Sequence, residues 1–213
     1  MRWPWHWLFR ARCLACGAWG GLEGLCAACE AMWLPAPSGA GPAGLDGLLV
    51  GGAHAGPARA AVRACKYRGR RLACSVLARR LLAASGWPAG QWLVVPVPLH
   101  ARRARQRGFN QAARLARAIG RSRGWRVASV LRRRRDTPPL HGLPPGLRAA
   151  AVAGAFTCHR PLAGAQVLLV DDVLTTGATA AACAAVLRQA GARAVWLAAA
   201  TRAPLPPVRA EEP

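Results

Sequence analysis

Residues 167–179 read VLLVDDVLTTGAT, and no other stretch restricts the fold as tightly. The apolar run Val167 to Val170 predicts a buried strand. It delivers Asp171 and Asp172 to the carboxyl end of that strand, the edge where ligands bind in open α/β sheets. Thr175, Thr176, Gly177, Ala178 and Thr179 then lead into a helix. Their hydroxyls and the backbone amides at the helix start form a ready site for a phosphate. Carboxylates beside an anion site repel it unless they serve another group, such as ribose hydroxyls or a metal ion. A sugar phosphate satisfies both ends. Paired aspartates after a strand also occur as helix caps in solvated loops, but that reading leaves the rest of the thirteen-residue run unexplained.

Apolar runs alternate with helical patterns along most of the chain. Strands are expected at Leu48–Ala53, Trp92–Val97, Arg126–Leu131, Val167–Val170 and Val195–Ala200. Helices are expected at Pro57–Tyr67, Arg71–Ala84, Phe109–Ile119 and Ala178–Ala190, the last closed by Gly191. Arg132–Leu147, rich in Arg, Pro and Gly, reads as a long mobile loop. The alternation predicts an α/β fold, a parallel sheet with helices on both faces. A small cysteine module at residues 1–35, a Pro/Gly/Ala-rich linker at 36–46, the α/β domain at 47–203 and a tail at 204–213 complete the organisation.

Charge is distributed unevenly. The 213 residues carry 30 Lys and Arg against 8 Asp and Glu, and Lys66 is the sole lysine. Between Asp46 and Asp136 there is no acidic residue, while the same stretch holds twenty arginines and Lys66. Such a field favours polyanions, whether nucleic acid, diphosphates or acidic membrane surfaces, without choosing among them. A solvated basic surface accounts for many of these arginines. The N-terminus, MRWPWHWLFRARC, has no continuous apolar core and no small-residue cleavage site, so no signal peptide is expected. No apolar stretch reaches the roughly 18 residues of a membrane span. A cytoplasmic protein without membrane insertion is the expectation, and its cysteines should be reduced.

Cys13-x-x-Cys16 and Cys26-x-x-Cys29 are two knuckles separated by nine residues. Each gives two sulfurs from one tight turn, which suits a tetrahedral thiolate site for structural Zn2+. A module this short cannot bury an adequate core, so metal binding would supply most of its folding free energy, on the order of 10 kcal/mol. Cys65, Cys74, Cys158 and Cys183 lie in apolar or helical contexts and read as packing residues.

Val94–Gln111 reads VVPVPLHARRARQRGFNQ: a strand, a turn at Leu99–His100, then exposed arginines. Arg102, Arg103 and Arg107 offer planar forks that bind diphosphate. His100 could act as acid or base, though a lone turn histidine is more commonly a polar loop residue.

The run of four apolar residues, two acids and a Thr/Gly loop resembles the phosphoribosyl-diphosphate (PRPP) motif of type I phosphoribosyltransferases. The resemblance implies that Asp171 and Asp172 hold the ribose hydroxyls and that Thr175, Thr176, Gly177, Ala178 and Thr179 hold the 5-phosphate, with Mg2+ as companion ion. Together with the cysteine ribbon, Cys65-Lys66-Tyr67-x-Gly69 and the RGFNQ block, the chain is similar to the ComF family of competence-associated, phosphoribosyltransferase-like proteins from residue 13 to about 202. It departs at Leu140 and Ala151, where the family usually carries Gln and Asn; both changes remove hydrogen-bonding amides.

Two functions follow as expectations. One is a binding protein in DNA uptake and natural transformation, taking PRPP and single-stranded DNA and working with a competence helicase. Strand-binding proteins combine a positive groove with aromatic platforms. Trp92 starts an apolar strand and reads as core. Trp125 is the better stacking candidate, although core packing is favoured for it too. The other is an active phosphoribosyltransferase. There Asp171 and Asp172 would stabilise an oxocarbenium-like transition state, and Arg102 and Arg107 would hold the leaving diphosphate.

Overall fold

The computed structural model describes residues 12–19, 23–68, 71–135 and 145–204. Trp3, Trp5, Trp7, Gly69, Leu140, most of the expected loop and the tail beyond residue 204 lie outside the described residues. The elements run α1 (Ala27–Ala31), β1 (Gly47–Val50), α2 (Gly56–Arg68), α3 (Arg71–Leu82), β2 (Leu93–Pro96), α4 (Ala101–Arg107) and α5 (Gln111–Arg123). They continue with β3 (Leu131–Arg133), α6 (Pro145–Val152), β4 (Phe156–Cys158), β5 (Gln166–Leu174), α7 (Ala178–Gln189) and β6 (Ala194–Arg202).

Four strands pair in parallel in the order β1-β6-β5-β2. Successive side chains of a strand face opposite ways, so each strand feeds two cores. Val167, Leu169, Val195 and Leu197 pack with Ala180, Cys183 and Leu187 of α7. Leu168, Val170, Ala198 and Ala200 pack with residues of α2, α3 and α5, among them Val62, Leu77, Leu115 and Ile119. Both faces are thus covered, as a parallel sheet requires. The buried positions of α5 include Ala112, Leu115, Ala116 and Ile119, the stripe expected from their spacing.

Both sheet edges are covered as well. Residues 34–39, within the segment read as ending the module and starting the linker, lie along β1. Gly39 and Leu48 exchange backbone hydrogen bonds, the Val50 amide donates to Ser38 Oγ at 3.0 Å, and the Ala53 amide donates to the Leu34 carbonyl. On the far side, Val94 bonds the backbone of Arg126 and Ala128. Edge coverage of this kind removes a template for unwanted strand addition.

Several expectations change. The Arg126–Leu131 strand reduces to a single bridge at Val127, and the strand begins at Leu131. The described ends of the Arg132–Leu147 loop are ordered elements: β3 pairs antiparallel with β4, and α6 starts at Pro145. Ala151 lies in α6. Cys65 and Cys74 do more than pack: they form a disulfide between α2 and α3, with Cα atoms 5.5 Å apart, contrary to the expected reduced state. Trp125 is buried with Trp92 in a cluster of indoles, its ring 6.0 Å from Trp87 and 6.5 Å from Trp92, so it offers no open stacking face. Among the described residues no helix is long and apolar enough to cross a membrane.

Candidate functional site

Because the four strands are parallel, their carboxyl ends share one edge of the sheet. β5 does not end at the acidic pair. It pairs with β6 as far as Leu174, opposite Arg202, while its other neighbour β2 stops at Pro96, opposite Val170. Asp171 and Asp172 therefore lie just past the last rung of β2, where that side of β5 is open.

Adjacent strand residues point to opposite faces, and the pair is split accordingly. Asp172 follows the parity of Leu168 and Val170 and meets Lys66 of α2, whose Nζ lies 3.0 Å from its Oδ1. Asp171 follows Val167 and Leu169 toward the α7 face, where it interacts electrostatically with Cys183 and Arg133. Its Oδ1 accepts a hydrogen bond from the Asp172 amide at 2.8 Å. Burial pushes the Asp171 carboxyl up to about 7, and the neighbouring charge of Asp172 adds to the push. A ligand that reaches both carboxylates must lie across the edge of β5.

The turn after β5 leaves donors at the start of α7 without side-chain partners. Gly177 has φ of 84°, a left-handed conformation, and N-caps α7 without any side-chain cap bond. A Cβ at Gly177 would approach Pro42 Cγ to 2.6 Å, so glycine is required both by conformation and by the segment lying over it. The Thr176 hydroxyl is buried with no hydrogen-bond partner. A buried hydroxyl without a partner costs about 1–3 kcal/mol, a cost that a phosphate oxygen would relieve. Thr175, Ala178 and Thr179 are half-buried around it.

The arginine segment folds into α4, a seven-residue helix with no buried residue. It follows β2 directly, so its arginines stand at the same edge. His100 is its N-cap and accepts from the Arg102 amide, which gives this histidine a structural task. Arg107 lies 5.4 Å over the Tyr67 ring, next to Lys66. Asn110 then caps α5 and donates from Nδ2 to the Val97 carbonyl at 2.9 Å, tying the arginine helix to the end of β2. Asp171, Asp172, residues 175–179, Arg102 and Arg107 thus come from one edge.

Two side chains at this edge had no site role assigned from sequence. Lys66 is the cation that neutralises Asp172, and its being the sole lysine was the available signal. His54, after β1, bonds Thr201 Oγ1 through Nδ1 at 2.9 Å, and that hydroxyl donates to the Asp172 carbonyl. With the Thr201 proton on the Asp172 carbonyl, the complementary tautomer of His54 is the one that carries its proton on Nδ1. Burial, and then the charges of Lys66 and Arg59, lower the His54 pKa.

The sulfurs of Cys13, Cys16, Cys26 and Cys29 all lie within 4.8 Å of one another. Cys16 and Cys26 Sγ are 3.7 Å apart. Four thiolates about 2.3 Å from one tetrahedral ion would be separated by roughly 3.8 Å, so the cluster fits a metal such as zinc. Burial, with crowding by the other three sulfurs, pushes Cys29 up to about 12. At Cys13 burial also raises the pKa, but hydrogen bonds from the Cys16, Cys26 and Ala15 backbone bring it down to about 6. The module is fixed to α3, where Arg79 pairs with Glu23 and Glu30 and Arg80 pairs with Glu30, and to the end of β1, where Trp33 Nε1 donates to the Gly51 carbonyl at 2.8 Å.

The Asp171 shift has a measurable consequence. Its folded pKa of about 7 exceeds the ordinary 3.8, so ionising it costs stability that is absent below pH 4, grows as pH rises toward 7 and is constant above. Asp171→Asn keeps the acceptor for the Asp172 amide and removes the titration. Its melting temperature should match wild type near pH 4 and exceed it at pH 8. Equal melting temperatures at pH 8 would refute the strained carboxylate.

No protein-family model matches the chain. It is 39% identical over 104 residues to the DNA utilization protein YhgH of Escherichia coli K12, a match covering 48% of this chain and 45% of that protein. The protein of the same name from Salmonella typhi is 38% identical over 104 residues, with the same coverage. The matched stretch thus spans about half the length of these curated relatives. Among solved structures, the glutamine PRPP amidotransferase of B. subtilis, complexed with ADP and GMP, aligns with TM-score 0.39 and 20% identity, covering 68% of this chain and 27% of that one. The allosteric regulatory enzyme of purine biosynthesis aligns with TM-score 0.38 and 20% identity, covering 68% and 26%. Over about half its length, then, the chain is similar to the DNA utilization proteins of enteric bacteria.

Proposed function

We propose that the chain binds PRPP with Mg2+ at the carboxyl edge of its sheet and single-stranded DNA on its basic surface, and acts in DNA uptake and natural transformation. The observation that carries the PRPP reading is the buried, unpartnered Thr176 hydroxyl at the start of α7, two strand residues and a turn beyond a carboxylate pair. The 5-phosphate would take that hydroxyl, Thr175, Thr179 and the amides of Gly177 and Ala178. Asp172 and Asp171 would accept from the ribose hydroxyls across the edge of β5, and Arg102 and Arg107 would hold the diphosphate. Mg2+, when bound, supplies positive charge to the diphosphate and ribose oxygens. The DNA half of the reading rests on the excess of arginine and on the relatives being named DNA utilization proteins.

Zinc is the metal proposed for the cysteine cluster, held by Cys13, Cys16, Cys26 and Cys29 with no open position, hence structural. Elemental analysis of the purified chain should give one zinc per chain. Cys13→Ser/Cys26→Ser should lose the metal and melt at lower temperature; an unchanged metal content would contradict the assignment.

Calorimetric titration with PRPP and Mg2+ tests the phosphate site. Thr176→Val keeps shape and removes a hydroxyl that has no partner, so stability should be unchanged or improved while PRPP affinity falls by about tenfold, roughly 1.4 kcal/mol. Asp172→Asn should weaken PRPP binding further. A wild-type chain that gives no PRPP binding heat, or a Thr176→Val variant of unchanged affinity, would sink the reading.

A further inference from the structure

Between α3 and α5, on the sheet face opposite α7, lies an open groove of about 320 Å³. Arg71 of α3 and Arg114, Arg117 and Arg121 of α5 line it, with the small side chains of Ala78 and Ala118 between them. The three α5 arginines recur at helical spacing, so they form one stripe roughly 10 Å long. We propose that this groove is the seat of a single-stranded nucleic acid, whose phosphodiester backbone runs along the arginine stripe. The proposal deepens the DNA half of the function above and rests on it.

Charge argues for a polyanion. The described carboxylates are all engaged elsewhere. Glu23 and Glu30 hold Arg79 and Arg80, Asp46 holds Arg188, Asp172 holds Lys66, and Asp171 sits half-buried at the strand edge. Among the described residues no carboxylate pairs with Arg71, Arg117 or Arg121. Repulsion within this row is relieved by an extended chain of phosphates, which also releases condensed counterions. A groove of about 320 Å³ is on the scale of one nucleotide at a time, which suits a single strand better than a duplex.

The groove's direction separates it from the PRPP edge. α5 starts at the carboxyl end of β2, fixed there by Asn110, and the stripe leads away from it. A strand in the groove and PRPP at the edge therefore share no contacts, and the two ligands do not compete.

Fluorescence anisotropy of a labelled oligothymidylate with the full chain, over a salt series, tests this. Arg117→Ala/Arg121→Ala should weaken binding on the order of tenfold and flatten the slope of log affinity against log salt by about 1.4, from about 0.7 for each phosphate contact. Arg59→Ala/Arg63→Ala, which removes the same charge from exposed positions of α2, should have a much smaller effect. Melting curves confirm that both variants fold. Saturating PRPP with Mg2+ should leave wild-type affinity for the strand unchanged. Equal losses in the two variants, displacement by PRPP or tighter binding of a duplex would overturn the assignment. If the wild type binds the strand and the groove variant does so equally well, only the groove fails. If the wild type does not bind it even at low salt, the DNA reading itself fails.

Discussion

Two adjacent carboxylates at a half-buried sheet edge cannot both be charged unless cations stand close by, and that constraint organises the chain. Asp172 is neutralised by Lys66 at 3.0 Å, whereas Asp171 is left with a pKa near neutrality. Neither arrangement is what stability alone would select. A buried apolar pair would extend the sheet without penalty. The Thr176 hydroxyl, buried and unpartnered one turn on, adds a second cost at the same place. Strain of this kind, concentrated at one edge, is characteristic of a ligand site.

Lys66 connects the edge to the rest of the fold. Its neighbour Cys65 is disulfide-bonded to Cys74, which locks α2 to α3. α3 in turn carries the cysteine module through Arg79, Arg80, Glu23 and Glu30. The few acidic residues thus act as fasteners between elements: Asp46 closes the β6 start by accepting from Arg188 and from the Val195 amide. With acids used up in this way, the surplus arginines face solvent, and the basic character of the surface follows from the structure as much as from the composition.

Much of this was legible in the sequence. The apolar runs at Val94 and Val167 and the stripe at Ala112, Leu115, Ala116 and Ile119 gave strands and a helix because burial imposes a period on sequence. α4 was not expected as a helix because it has no apolar face to set a period; only its caps, His100 and Gly108, mark it. Read from sequence, β5 ends at Val170 because aspartates look like loop, yet pairing with β6 carries it to Leu174. The split of Asp171 and Asp172 between two faces follows from strand geometry once that length is known. The disulfide depends on a contact between two helices, which no local pattern reveals. The roles of His54 and Lys66 depend likewise on partners more than a hundred residues away.

We propose that the edge formed by Asp171, Asp172 and residues 175–179 holds a sugar phosphate. A crystal structure of the chain with PRPP and Mg2+ tests it most directly. The 5-phosphate should lie within hydrogen-bonding distance of Thr176 Oγ1 and the α7 amides, with the ribose hydroxyls against Asp172 and Asp171. PRPP bound elsewhere, with the Thr176 hydroxyl still unpartnered, would contradict it.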